Sequence, residues 1–472
     1  MGATNLFDYI QIPYGGLAVV TLGLLLWRPV AGILLLIAIF PMDPYSPRLP
    51  VPGINTETFL LGLAFAVTTL RFGARLPPLR YSGPVLAFIG MTGIAFALAI
   101  PWARNLELVN NGGSAVWFIF KFWKSITFSS AFFFATYWWF SRPRDRRWLL
   151  EALSIGVFIS CLAGFADFLL GITVTTEEGR ASGLQGDPNA MAEAIGSMMF
   201  VSLYLALYVR ELPLYRRLFH AGVYLFAFGM VVLSYSRGNW IALVVAHAVF
   251  CLLFSRLLLV AGAVALLLVA TVGYPLLPKP IRERIEVTTQ ASNAVYRVPW
   301  SVGLESSTAT RVVFTKIGID MLKHSPIWGN GLNAFFFRTR EFGAKYGILE
   351  YKDPHNFVIK VAAEAGMIGL GTLAWLIWAV FRCGRRLWRS DSPEWRLGGI
   401  LLASGTHVLV ASLSTDSFLY AKQISAYFWI LYAMSARAYV ERYASAEVPV
   451  LAEAGARWRR FSQRTVAAAS HP

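Results

Sequence analysis

The chain has 472 residues, of which 56% are apolar and only 14% charged, and its mean hydropathy is +0.55. Apolar runs recur along the whole length, which excludes an ordinary soluble enzyme and also a soluble domain on a single anchor. The net charge of +16 does not point to nucleic acid as a partner, because the basic residues sit in short loops between apolar runs.

A helical crossing needs about 20 apolar residues. The runs predict spans at 14–27, 29–41, 56–71, 84–101, 119–140, 148–171, 187–209, 219–236, 238–255, 257–277, 360–382, 397–413 and 421–438. The first two are short and flank Arg28; they form either a tight hairpin or one long tilted helix, which gives 12 or 13 spans. The expected fold is therefore an all-α polytopic membrane protein, with residues 1–439 as one integral membrane domain and 440–472 as a short tail. The first apolar run has no basic leader and no A-x-A site, so no cleavable signal is expected. Cys161, Cys251 and Cys383 have no metal-ligand spacing and imply no disulfide framework.

Basic residues set the orientation. Loops holding Arg71, Arg75 and Arg80, then Arg142 to Arg147, Arg210 to Arg217, Arg256, and Arg382 to Arg389 alternate with loops poor in Lys and Arg. All five, and the basic tail, are expected on the cytoplasmic side. The opposite face receives 42–54, 102–118, 172–186, the turn near 237, 278–359 and 414–420. Segment 278–359 is the longest of these, and a loop of that size in a compact protein is usually functional. Within it, Val313, Phe314, Ile317 and Met321 share one stripe, largely opposite Arg311, Lys316, Asp320 and Lys323. This pattern predicts an amphipathic helix able to lie on the membrane surface.

Several residues on that outer face are suited to chemistry. Arg237, in "LSYSRGNWIALVV", interrupts an apolar run where it either snorkels to headgroups or binds an anion through its two-pronged guanidinium. Lys121 and Lys124, in "FKFWKS", either snorkel or line an anionic site. In "GRASGLQGDPNAMAE", Asp187 reads as an N-cap with Pro188 at the first helical position, which leaves Arg180 and Asn189 to touch a polar ligand. Gly329 and Gly331 follow Pro326 but no Gly-Lys-Ser/Thr comes after them, so this is no P-loop. His324 reads as a cation at a helix C-terminus. His355 and Asn356 open the span after the Asp353-Pro354 turn, where an imidazole either caps a helix or takes a proton near neutral pH. Glu364, inside that span, calls for a structural partner.

Taken together, Ser-Arg-Gly at the end of one span, a long outer loop with Arg311 ahead of "HSPIWGNGLNAF", and "HNFVIKVAAEAGMIGL" opening the next span resemble the O-antigen ligase and polymerase superfamily. "GRASGLQGDPNAMA" resembles the family's upstream Pro-Asn element. The resemblance implies a GT-C-like fold with one large periplasmic loop, in the bacterial inner membrane, with the active site facing the periplasm. It implies a glycosyltransferase that moves a glycan from an undecaprenyl-diphosphate carrier to an acceptor hydroxyl, without metal or nucleotide cofactor. Carried over by motif, His355 is the catalytic histidine, and Arg237 and Arg311 hold the carrier diphosphate. Asn356, Arg180, Asn189, Lys121 and Lys124 are the expected substrate contacts. A ligase uses lipid A core as acceptor and a polymerase uses a second lipid-linked glycan. A protein O-oligosaccharyltransferase fits less well, because that subgroup often adds an outer C-terminal domain. A transporter lacks support from any internal repeat.

Overall fold

The computed structural model describes residues 6–45, 55–72, 77–106, 114–170, 180–268, 271, 273–277, 279–286, 306–420 and 422–443. Its helices are α1 (Leu6–Trp27), α2 (Pro29–Ile39), α3 (Thr56–Phe72), α4 (Leu79–Ala103), α5 (Ala115–Trp139), α6 (Pro143–Leu170), α7 (Pro188–Tyr208), α8 (Leu214–Leu233) and α9 (Arg237–Phe254). They continue as α10 (Arg256–Leu268), α11 (Lys279–Glu286), α12 (Ser306–His324), α13 (Ala334–Gly343), α14 (Phe357–Trp388), α15 (Arg396–Ala411), α16 (Ser417–Tyr420) and α17 (422–443). The protein is an all-α polytopic membrane protein. Among the described residues, α4, α6, α7, α8, α9 and α14 are long and apolar enough to cross a bilayer. Shorter apolar helices lie in α1, α2, α3 and α15. Every span expected from the sequence falls on a helix, although α10 is described only as far as Leu268. Of the tail expected at 440–472, residues 444–472 lie outside the described residues.

The ambiguity at Arg28 resolves as a tight hairpin. Pro29 cannot continue α1, because it has no N–H to donate and its ring clashes with the preceding turn. The chain folds back so closely that a Cβ on Gly32 would lie 2.6 Å from the Leu25 nitrogen. At the bundle's centre, α7 is enclosed on most sides, with most of its apolar stretch buried. Its small residues allow that approach. A Cβ on Gly196 would sit 2.4 Å from the His407 ring of α15.

The described Arg-rich stretches meet at one end, where Arg80 lies beside Arg382 and Arg386 and Arg216 pairs with Glu151 of α6. There Arg146, at the start of α6, is almost wholly buried and pairs with Glu394 before α15 and with Glu441 on α17. The other end carries the turn between α8 and α9, the start of α14, and the α12–α13 layer.

That layer corrects one expectation. The stripe of Val313, Phe314, Ile317 and Met321 does exist, and all four side chains are fully buried. They pack with Phe335, Ile348 and Ala363 into a small second core against α13 and α14. The apolar face of α12 is therefore covered by protein and does not rest on the membrane surface. On its polar side, Asp320 pairs with Lys316 and Lys345 and accepts from the Tyr346 hydroxyl.

A break in α14 locks this layer to the bundle. Gly366 has φ 63° and ψ −156°, which interrupts the helix. Backbone at membrane depth must have its hydrogen bonds met inside the protein. The segment between α12 and α13 meets them. Asn330 and Gly331 N–H groups donate to the Ala363 and Glu364 carbonyls at 3.0 Å each. The Met367 and Ile368 N–H groups donate to Pro326 and Ile327 carbonyls at 2.8 and 3.3 Å. A Cβ on Gly329 would lie 2.3 Å from the Glu364 carbonyl carbon, and one on Gly366 2.5 Å from the Ile327 oxygen. Gly366→Ala is thus expected to destabilise the protein by at least about 1–3 kcal/mol from its left-handed backbone alone. Thermal unfolding in detergent should show a lowered midpoint for Gly366→Ala. Gly371→Ala, where a Cβ meets nothing within 4 Å, should leave the midpoint unmoved.

Candidate active site

The loop 412–416, after α15, is the hub on which the site is built. Its carbonyls at Ser412 and Thr415 accept from the Phe357 N–H, at 2.9 and 3.2 Å, at the start of α14. Asn356 caps α14 by accepting from the Ile359 N–H at 3.1 Å, and its amide donates to the Leu413 carbonyl at 3.0 Å. From below, Glu193 of α7 accepts from the hydroxyls of Ser412 and Thr415 at 3.3 and 3.2 Å. At the start of α9, a Cβ on Gly238 would fall 1.8 Å from the Ser414 hydroxyl oxygen. Arg237 and His355, 118 positions apart by their numbers (355 − 237), therefore flank one five-residue loop.

His355 stands in the left-handed region, at φ 50°. Non-glycine residues there cost roughly 1–3 kcal/mol, and such strain clusters at functional sites. Neighbouring contacts impose the conformation: Pro354 is buried, Asn356 is fastened to the loop, and Asp353 is fastened to Lys360. The imidazole itself is 44% exposed, with Nδ1 4.0 Å from the Asp416 carboxylate, which is wholly buried.

Lys360 organises the charge behind the histidine. It has no exposed surface, yet its ammonium meets three carboxylates. It bonds Asp353, lies 3.3 Å from the second oxygen of Asp416, and 3.9 Å from Glu364 one turn further on. Phe122 of α5 presents its ring 5.5 Å from the same nitrogen. Asp416 is thus shared, with one oxygen toward His355 and the other toward Lys360. Burial pushes the Asp416 carboxyl above its ordinary value, with Lys360 the largest opposing influence.

The upstream element joins the same end. Asp187 caps α7 by accepting from the Asn189 and Ala190 N–H groups, with Pro188 at the first position, as expected. Asn189 then accepts from the Ser236 hydroxyl at 2.7 Å, next to Arg237, and from Arg180 at 3.5 Å. Arg180 also donates to the Ser234 carbonyl at 2.8 Å, and Asn239 to the Asn189 carbonyl at 3.1 Å. Arg180 and Asn189 are therefore brought to the turn that precedes Arg237.

Arg311 and the lysines take different positions. Arg311 lies on α12, which runs in the same direction as the first part of α14. Gly318 abuts Ile359, and the Asn330 amide bridges the Met321 and Ala363 carbonyls. Two turns before Gly318, Arg311 is on the His355 end of that pair. Lys121 is exposed on α5, one residue from Phe122, and Lys124 is half-buried on the same helix. It is Phe122, between them, that reaches the charge cluster. Glu364 has its expected partner in Lys360, and His324, the last residue of α12, contacts the Asn330 side chain at 3.0 Å.

Sequence reasoning missed Lys360, Asp353, Asp416 and Glu193. The spacing of Lys360 and Glu364, one helical turn apart on an apolar face, was the available signal for that pair. No local pattern ties Asp416 to His355.

No curated protein matches the chain. Residues 222–374, from α8 through the break in α14, match the family model described as O-Antigen ligase.

Proposed function

We propose that the chain transfers a glycan from an undecaprenyl-diphosphate carrier to a sugar hydroxyl of lipid A core, at the periplasmic face of the bacterial inner membrane. The match of residues 222–374 to the O-Antigen ligase model supports glycosyl transfer on lipid-linked sugars in a membrane; the donor, acceptor and residue roles are part of the same proposal. The observation that supports it most is the 412–416 loop, which gathers His355, Asp416 and the start of α9 at Arg237 at one end of the bundle.

A diphosphate is already a good leaving group, so the protein's task is to stabilise its departing oxygens and to take a proton from the acceptor. Arg237 and Arg311 supply the positive charge, in the geometry that guanidinium offers to phosphate. With Asp416 accepting from Nδ1–H, Nε2 of His355 is left free to take the acceptor proton. The 4.0 Å separation from Asp416 closes on a small rotation of the ring, as catalytic hydrogen bonds often do when substrate arrives. The acceptor oxygen bonds to the anomeric carbon while the carbon–phosphate oxygen bond breaks. The proton goes to His355, the electron pair leaves with the diphosphate, and the anomeric centre inverts. Asn356, Arg180 and Asn189 shape the rim of this site, with Lys121 and Lys124 toward its α5 side.

Envelope glycans of a strain lacking this protein test the reading. Polymer left on the undecaprenyl carrier is the expected result. Single repeat units would instead assign the same machinery to a polymerase, and an unchanged glycan profile would overturn glycosyl transfer altogether.

A further inference from the structure

The far end of α14 carries a feature that transfer does not use. Trp375, Trp378, Arg382, Arg385, Arg386 and Arg389 fall within a single stripe of the helix, following its period of 3.6 residues. The stripe is aromatic toward the middle of the bundle and basic toward the helix end. Trp375 and Trp378 are 44% and 54% exposed, and the Arg382 guanidinium lies 4.5 Å over the Trp378 ring. Two clefts flank the stripe and share Trp378 and Arg382. One, of about 500 Å³, is bordered by Trp378, Arg382, Arg385, Trp388 and Arg389. The other, of about 340 Å³, lies between Trp378, Arg382 and Arg386 of α14 and Arg80 and Tyr81 of α4.

None of Arg80, Arg382, Arg385, Arg386 and Arg389 pairs with a carboxylate among the described residues, where Arg146 and Arg442 at the same end both do. Five guanidiniums held around two clefts, without an acidic partner among the described residues, create a strong local demand for anions. Arginine meets phosphate through parallel hydrogen bonds. The tryptophans provide an apolar wall for acyl chains, with the headgroup level set by the arginines.

We propose that this double cleft is a binding site for an anionic phospholipid of the cytoplasmic leaflet, its phosphodiester held by Arg382 with Arg386 and Arg80 on one side or Arg385 and Arg389 on the other. The site lies roughly 40 Å along α14 from His355, and it stands independently of the transfer chemistry. Basic clefts between membrane helices on that side suit anionic headgroups. A positive charge alone would serve orientation in the membrane; the clefts and the stacked Trp378 serve a ligand.

Lysine variants separate those two roles, because Lys keeps the charge and loses the two-pronged geometry. Binding of dioctanoyl phosphatidylglycerol to the purified full chain is measured against dioctanoyl phosphatidylcholine and against inorganic phosphate. The wild type is expected to bind phosphatidylglycerol in preference to phosphatidylcholine. Inorganic phosphate should bind far more weakly, since it leaves the tryptophan wall empty; equal binding of the two would reassign the site to free phosphate and overturn the lipid. Arg382→Lys with Arg386→Lys and Arg389→Lys should weaken phosphatidylglycerol by about tenfold or more. The single Trp378→Ala should weaken it while leaving phosphate unmoved. Arg210→Lys with Arg256→Lys, basic residues of the same membrane side outside the clefts, should change nothing. Equal affinity for the two lipids, or equal losses in the cleft and control variants, would overturn the proposal.

Discussion

His355→Ala is expected to slow glycan transfer by about 10²–10⁴-fold, the contribution of a positioned general base, while leaving the protein folded and the donor bound. The physical reason is local. The ring is 44% exposed, and its ion-pair partner among the described residues is Asp416, at 4.0 Å. The turn around it is fastened by other residues, namely Asn356 to Leu413 and Asp353 to Lys360. Alanine also suffers more than histidine from φ 50°, so a small loss of stability should accompany the loss of rate. The two are separable. Single-turnover transfer with purified protein reads the rate, and a melting midpoint in the same detergent reads the fold. An active His355→Ala protein would remove the base from the account.

Lys360→Met should have the largest effect on stability. A lysine with no exposed surface faces Asp353, Asp416 and Glu364. Its removal takes the ammonium away from Asp416 and Glu364, themselves buried, and breaking a buried pair from one side typically costs about 3–5 kcal/mol. Burial already pushes the Asp416 carboxyl upward, with Lys360 opposing it. Without Lys360 the carboxyl should bind a proton at still higher pH, which neutralises the group that faces His355. Activity of any folded Lys360→Met protein should therefore require a higher pH than wild type. Combining it with Asp416→Asn should recover part of the stability and not the activity, because one of the two buried carboxylates beside the missing lysine is neutralised together with the partner of Nδ1. Loss of the same size in the single and double variants would show that the lysine acts through packing alone.

Much of this was legible in the chain because the bilayer restricts the options so severely. Apolar runs of spanning length, with arginines in every second loop, fix both the helices and the end at which they gather. The Asp187-Pro188 cap and the stripe on α12 followed from helix periodicity and capping chemistry, and both are present. What covers that stripe did not follow. Val313 to Met321 would look the same facing lipid or protein, and only Gly329 and Gly366, whose missing Cβ atoms admit the α14 break, decide for protein. Gly366 falls inside the expected span 360–382, and a glycine inside an apolar run marks a kink only when something approaches it. The motif residues around the site could be picked out singly, but the 412–416 loop that joins them could not. Asp416 meets Lys360 and His355 across more than fifty positions of chain, and no periodicity reaches that far. Lys360 was hidden for a simpler reason: at the edge of a span, a lysine resembles a loop charge.

The central claim is that Arg237, Arg311 and His355 serve one bound donor in different ways. Titration of an undecaprenyl-diphosphate glycan onto the purified protein, followed with Arg237→Ala, Arg311→Ala and His355→Ala side by side, tests it most directly. Each arginine variant should bind the donor about tenfold more weakly or worse, and the histidine variant should bind as the wild type does without transferring. Undiminished donor binding in either arginine variant would contradict a shared diphosphate site.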